Sequence, residues 1–411
     1  MQEYKSRDYV IQVHDSWQGI AEGAWNALLA QQQTPTLFMQ HAYLQAMEVS
    51  QAASPDTGWA LQIVTLWQSQ EAQEDATLGP PGLRLCAAAP LYAKDHSYGE
   101  YVFDWAWADA YQRNGLRYYP KALVAVPFTP VPGSRLLAVD AQARQALAQT
   151  MIDFSQSQGL SSLHLLFGDE ADLLACSQAG MMLRRTVQFH WQNSKSARST
   201  LHEKFTDFDD FLSHLSQEKR KKIRQERRKV AQAGVLFRVL RGAEITSSDW
   251  DFFYQCYERT YLEHGNKPYL SRDFFAHMQQ DMAEHWLLFV GEIEGRPVAC
   301  SLLGLDSTSP EGGVAYGRYW GALERVDCLH FEACYYQPIV WCIANGFIRF
   351  EGGAQGEHKM ARALLPVTTS SAHWLSHPGF ADAVARFLAQ EGQGVEAYMD
   401  DLNQRSPLKE G

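Results

Sequence analysis

The sequence predicts a mixed α/β protein built as two similar halves, each a central mixed sheet flanked by helices. Three observations carry this. Tyr316-Gly317-Arg318-Tyr319-Trp320-Gly321, an apolar run from Cys328 to Ala344, and Phe347-Ile348-Arg349-Phe350-Glu351 read strand, helix, strand; Asn345-Gly346 ends the helix and Gly352-Gly353 the second strand. Such a unit leaves a ligand crevice at its strand ends. A weaker copy lies upstream: Tyr98-Gly99-x-Tyr101 matches Tyr316-Gly317-x-Tyr319, and the helix-ending Gly159 matches Gly346. The 411 residues also exceed one ordinary core. The expected domains are 1–195 and 196–411, joined through the polar, patternless stretch Asn193–Thr200.

Along the chain, residues 15–32 and 40–51 carry helical spacing, with Trp17, Ile20, Ala24, Leu28 and Leu29 near a 3.6 period. Strands follow at 59–67 and 83–92, separated by the acidic segment Gln70–Pro81. Tyr98–Trp107 reads as a strand with Phe103, Trp105 and Trp107 on one face and Asp104 on the other. A helix at about 140–158 and a buried strand at Leu163–Phe167 complete the first half. The second half carries helices at 207–233, 250–261 and 273–282, then strands at 286–293, 297–305 and 314–322. It closes with the helix 328–345, which Pro338 should kink, and the strand 347–352. Tyr98 and Gly159 stand further apart than Tyr316 and Gly346, so the first half carries an insertion near Asp109–Arg135.

Hydrophobic residues make up 46% and charged residues 20%, which fits a globular chain rather than a disordered one. The net charge of −11 disfavours DNA and anionic membrane as partners of the whole molecule, so an anion site must be a local basic patch. Seven scattered cysteines, none in a Cys-x-x-Cys pair, suit a reducing compartment. The polar N-terminus has no signal-peptide core, and no apolar run reaches the roughly 18 residues needed to span a bilayer. The expected location is the cytoplasm, without membrane insertion.

The sharpest charge feature is Lys219–Lys229, eight of whose eleven residues are basic. On a helix Arg220, Arg224 and Arg227 share a face, and a row of guanidinium groups suits phosphate. The segment Glu351-Gly-Gly-Ala-Gln355-Gly-Glu357-His358-Lys359 follows a strand end, where glycines admit a ligand close to backbone. Acyl transfer to an amine needs a route for the amine proton and donors for the tetrahedral oxyanion. Glu357 or His358 is the expected proton acceptor and Lys359 the charge stabiliser. Asp104, a carboxylate in mid-strand, needs a partner such as Lys94 or Arg117, or marks a cleft, and is the fourth expected catalytic residue beside Glu357, His358 and Lys359. Lys94, Lys121 and Arg135 flank the insertion as an anion-binding rim. Arg220, Arg224, Lys94, Arg135, Tyr319 and Gln355 form the expected substrate-binding set. His358 and His373 lack a third ligand at metal spacing, so no metal is expected.

Two stretches carry a resemblance. The C-terminal text Gly317-Arg-Tyr-Trp-Gly…Leu-His-Phe-Glu-Ala-Cys-Tyr-Tyr-Gln…Phe-Glu-Gly-Gly-Ala-Gln-Gly-Glu-His-Lys and the phrase Lys94-Asp-His-Ser-Tyr-Gly-Glu-Tyr-Val-Phe-Asp-Trp resemble the FemAB-like proteins of the GNAT acyltransferase superfamily, over nearly the whole chain. The resemblance implies tandem GNAT-like domains. It implies transfer of an aminoacyl or acyl group to an amine of an anionic substrate, as Fem relatives transfer from charged tRNA to a peptidoglycan precursor. Leu215, Ser216, Arg220, Ile223 and Arg224 fit the Fem pattern whose arginine meets substrate diphosphate. An acetyl-CoA enzyme of this superfamily carries a Gln/Arg-x-x-Gly-x-Gly/Ala turn after its fourth strand. Here that link reads Gly321-Ala-Leu-Glu-Arg-Val-Asp327, with no second glycine and two acids. No tightly bound cofactor is expected, and the donor, aminoacyl-tRNA or acyl-CoA, stays open. The alternatives are an acyl-CoA-dependent N-acetyltransferase and a recognition protein without chemistry.

Overall fold

The computed structural model describes residues 2–5, 9–69, 80, 82–195, 203–307, 312–353 and 356–408. The chain divides into two compact units: Met1–Thr186 with Thr368–Glu396, and Val187–Val367 with Ala397–Gly411. These units are not the sequence halves 1–195 and 196–411, because a late segment returns to the first. Most of the linker stretch 193–200 and of the acidic segment 70–81 lies outside the described residues. Asn193 itself is pinned: its N–H donates to the Ile348 carbonyl at 2.8 Å and its amide to the Phe347 carbonyl at 3.0 Å.

The elements in chain order begin with β1 (Gln2–Lys5), β2 (Val10–His14), α1 (Glu22–Leu29), α2 (His41–Val49), β3 (Trp59–Ser69) and β4 (Leu83–Lys94). They continue with α3 (Trp105–Arg113), β5 (Lys121–Val124), β6 (Leu137–Ala138), α4 (Ala141–Ser157), β7 (Ser162–Leu166), α5 (Glu170–Gln178) and β8 (Met182–Gln192). Next come α6 (Phe208–Ser213), α7 (Gln217–Gln232), β9 (Val235–Arg241), α8 (Ser247–Glu263), α9 (Arg272–Asp281), β10 (Trp286–Ile293), β11 (Arg296–Asp306) and β12 (Val314–Ala322). The chain closes with α10 (Leu329–Phe331), a π turn (Glu332–Tyr336), α11 (Gln337–Ala344), β13 (Arg349–Glu351), β14 (Leu365–Leu375) and α12 (Pro378–Gln404). No helix among the described residues is long and apolar enough to cross a membrane.

Each unit has a mixed sheet of the expected kind. In the first, β1 to β5 pair antiparallel in order, β5 pairs parallel with β7, and β14 runs antiparallel to β7. In the second, β9 to β12 pair antiparallel in order, β12 pairs parallel with β13, and the end of β8 runs antiparallel to β13. Each parallel pair is bridged by a helix, α4 in one unit and the α10–α11 run in the other, as a crossover requires. The first core gathers Leu91, Val124, Leu147, Met151 and Leu165, the second Trp191, Phe211, Leu303, Ile339 and Phe350.

The internal repeat holds at one landmark and fails at the other. Gly159 and Gly346 both sit just past the crossover helix with φ of 67° and 72°, a left-handed helix end that glycine adopts without a Cβ penalty. Tyr98 and Gly99 lie in a turn, whereas Tyr316 and Gly317 lie in β12, whose topological counterpart is β5. The expected strand 98–107 is likewise a turn followed by α3. Ala106, Ala108 and Ala110 favour helix, and Trp107 and Tyr111, four apart, bury one face. The helix expected over 207–233 breaks at Ser216 into α6 and α7. Pro338 causes no isolated kink, since it enters at the first turn of α11, straight after the π turn.

Candidate functional site

In the second unit, β12 and β13 part. Among the described residues they pair at Val314↔Arg349, Ala315↔Phe350 and Tyr316↔Glu351, and β12 then runs on to Ala322. A Cβ on Gly317 would stand 3.1 Å from the Phe350 ring and 3.3 Å from the Glu351 carbonyl, so glycine allows the strands to close up before they separate. Tyr335 of the π turn Glu332–Tyr336 reaches this region, its ring 3.4 Å from where a Cβ on Gly352 would stand, and such turns are frequent at functional sites. Tyr335 from that turn stands 3.2 Å from His358 Nε2.

The short helix Glu357–Arg362 carries the three residues singled out after Gly352-Gly353. Lys359 is 3% exposed and its ammonium donates to the Gly353 carbonyl at 2.8 Å. Burial pushes it down to about 8; the nearby Cys334 works against this and Arg318 with it. His358 is exposed, and partial burial with Lys359 and Arg362 nearby lowers its pKa, keeping it neutral near pH 7. Burial, with His358, Arg362 and Lys359 close by, pushes His330 of α10 down to about 4. Glu357 is exposed and tied: Arg405 donates to one oxygen at 2.5 Å and Tyr398 to the other at 3.3 Å. It is a clasp to the C-terminal helix rather than a free base. Gln355 lies outside the described residues.

The basic run forms α7, whose buried stripe is Ile223, Glu226 and Val230. The expected face of three arginines divides. Arg220 donates to the Ser213 carbonyl at 3.3 Å, Arg224 meets Asp209 at 3.5 Å, and Arg227 is bound by Glu332 at 3.1 Å. Arg224, Arg227 and Arg228 border an open cleft of ≈ 640 Å³ that Phe208, Leu212 and Leu236 also line. Arg228 is exposed, without an ion-pair partner among the described residues. Tyr319 belongs to an aromatic core instead of the crevice, 5.2 Å from Tyr257 and 5.5 Å from Phe275 between ring centroids.

The first unit holds a separate buried cluster. Lys94 at the end of β4 stands directly across the ladder from Lys121 of β5, and both are fully buried. Lys121 donates to Ser97 at 2.7 Å, to Glu100 at 2.8 Å and to Asp104. Asp104 precedes α3, and Tyr118 donates to it at 2.6 Å. The partner of Asp104 is thus Lys121, not Lys94 or Arg117. Burial opposes the Asp104 charge, but Lys121 and His164 overcome it and hold its pKa well below the carboxylate range. Burial pushes Glu100 up to about 7 against the pull of Lys121. It pushes Lys94 down to about 7 against Glu100, and the Lys94 ammonium lies 3.8 Å above the Trp59 ring. Arg135 does not join an anion rim: it is 1% exposed and its guanidinium donates to the carbonyls of Val131 and Gly133. Glu100, Tyr118 and His164 escaped the sequence reading; the signal for them was the run Lys121–Val126, whose strand would have set Lys121 against β4.

Among the described residues, no three His, Cys, Asp or Glu side chains group as a metal site requires. The model of a family described as FemAB-like, peptidoglycan biosynthesis/recognition, matches residues 16–410. No curated protein matches the chain. Among solved structures, L-PGS from Bacillus licheniformis aligns with a TM-score of 0.50 and 11% identity, over 90% of this chain and 98% of that one. A conserved protein of unknown function from Bacteroides thetaiotaomicron aligns at 0.46 and 10% identity, over 89% and 100%. A tandem GNAT protein from the clavulanic acid biosynthesis pathway aligns at 0.42 and 10% identity, over 90% and 99%. At these identities the likeness concerns the fold.

Proposed function

The chain belongs to the FemAB-like family, and from that premise we propose that its second unit is an N-acyltransferase acting on an amine of an anionic acceptor. The observation that carries this reading is the buried Lys359 ammonium on the Gly353 carbonyl, where β12 and β13 part. The acceptor amine attacks the carbonyl carbon of an acyl ester or thioester. A C–N bond forms, the C–O or C–S bond breaks, and the leaving group departs with a proton. Lys359 stabilises the oxyanion, and neutral His358 beside Tyr335 accepts the amine proton.

The exposed basic face of α7, with Arg224 and Arg228, recognises phosphate on the acceptor or on the donor. Aminoacyl-tRNA is favoured over acyl-CoA as donor because the turn before α10 has no pyrophosphate cradle. Its Asp327 instead pairs with Lys229 at 3.7 Å. The cluster around Asp104 and Lys94 is assigned to substrate recognition in the first unit, apart from the transfer step. Seven unpaired cysteines support a cytoplasmic site of action.

The test supplies 14C-labelled aminoacyl-tRNA or 14C-acetyl-CoA with an amine-bearing nucleotide-linked peptide and follows label into an amide. Transfer from the tRNA ester is expected. Transfer only from acetyl-CoA makes the chain a CoA-dependent enzyme, and binding without transfer from either donor reduces it to recognition.

A further inference from the structure

In the first unit the strand register sets His164 of β7 directly opposite His373 of β14. Side chains on such a pair share one face at close range, and the two rings meet with Nδ1 2.7 Å from Nδ1. Nitrogens this close share one proton, so one ring donates and the other accepts. The rest of the row decides which. Asp104 is ionised beside Lys121, so the Tyr118 hydroxyl, 2.6 Å away, donates to it. That spends the one proton of Tyr118, and its oxygen accepts from His164 Nε2 at 3.2 Å. His164 therefore carries its proton on Nε2, where Ser162 at 2.7 Å is a second acceptor, and its Nδ1 is bare. His373 supplies the shared proton from Nδ1, and its Nε2 accepts from Ser371 at 2.8 Å.

Neither ring takes up a second proton near neutral pH. Burial, then Lys121, pushes His164 down to about 3. Burial, then His164 and Arg184, holds His373 well below the usual range. Trp107 packs on both rings and carries Arg184 on its face.

We propose that His373, His164 and Tyr118 are positioning residues for Asp104: a one-way row of donors starting at Ser371 ends on its carboxylate, fixing it as an anion with Oδ1 left open. Among the described residues Oδ1 has no partner, although Asp104 is 3% exposed. The proposal rests on the assignment of Asp104 to recognition only for the use made of that anion. The row itself can be read in the free protein, so its failure and the failure of the acyl-transfer reading are separate.

The experiment is long-range 1H–15N correlation NMR of the full-length 15N-labelled chain at neutral pH. Expected are two neutral imidazoles of opposite tautomer, His373 protonated on Nδ1 and His164 on Nε2. The reverse pair, two like tautomers or an imidazolium would overturn the proposal. Tyr118→Phe, with folding checked by near-UV circular dichroism, removes the acceptor that sets the direction. Both rings should then mix tautomers, and to the same extent because they share a proton. The Asp104 carboxyl, followed by 13C shift, should titrate about tenfold more easily, one pH unit higher. Unmoved tautomers together with an unmoved carboxyl in that variant would sink the positioning role.

Discussion

Glu226 of α7 and Arg362 of the Glu357–Arg362 turn face each other inside the second unit, with Arg362 Nη2 3.1 and 3.0 Å from the two carboxylate oxygens. Tyr336 of the π turn donates to the same carboxylate, and the guanidinium lies 3.6 Å above the Phe331 ring while also donating to the His358 carbonyl at 3.0 Å. The one acid in the middle of the basic run is therefore the buried fastening between α7 and the turn that carries Lys359.

Removing one side of that pair leaves a buried charge alone. Glu226→Ala should destabilise the chain by about 3–5 kcal/mol, read as a lower urea midpoint. Glu226→Leu combined with Arg362→Met, which removes both charges at similar volume, should recover most of the loss. A double variant as unstable as the single one would show that shape, not charge, holds the turn.

The transfer step should follow a bell in pH. Lys359 is charged below about 8 and loses its charge as pH rises through that value, so the rate should fall on the alkaline side near 8. His358 accepts a proton only above its lowered pKa, so the acid side should lie below the usual 6.5. Lys359→Met should cost about 10²–10³-fold in kcat, and His358→Gln about 10²–10⁴-fold. An alkaline side that survives in Lys359→Met would assign it to another group.

Binding of the anionic substrate should weaken with salt through α7. Arg224→Ala with Arg228→Ala should reduce affinity and flatten the dependence of log Kd on log salt by roughly 1–2 units, one for each lost phosphate contact. Arg227→Ala should leave the slope alone, because its charge is already spent on Glu332.

The first-unit cluster should leave its mark on stability against pH. Glu100 has a folded pKa raised to about 7, so the folded state holds its proton longer; its contribution is full at low pH and is lost as pH rises through 7. Lys94 has a folded pKa lowered to about 7, so the folded chain sheds that proton earlier, and its contribution grows as pH rises above 7. Together they place a minimum near neutrality. Glu100→Gln should flatten the acid limb and Lys94→Met the alkaline limb, each by roughly 1–3 kcal/mol in denaturant titrations.

The sequence was a good guide wherever a local pattern and the tertiary packing agree. The strands β3, β4, β10, β11 and β12, the helices α4, α8 and α9, and both helix-ending glycines were legible because alternation, apolar period and a left-handed glycine are chain-local signals. Asp104 was legible as an odd carboxylate, but its setting was not. Alternating aromatics and alanines satisfy a strand and a short helix alike, and its partner Lys121 comes from a strand that pairs with β4 by non-local register. The Glu226–Arg362 fastening and the His164–His373 pair join residues far apart in sequence, which no spacing rule encodes. Arg135 and Tyr319 look like ligand contacts in the sequence because burial is invisible in a residue's name.

Residues 368–396 belong to the first unit, and residues 187–192 supply a strand to the second. A ribosome makes the chain in sequence order, so the first unit stays without β14 and without His373 until after every strand of the second unit has emerged. During synthesis the second unit can complete its strand set sooner than the first. A cut near residue 195 would yield fragments of which neither owns its whole sheet, and only both together could restore the row that ends on Asp104.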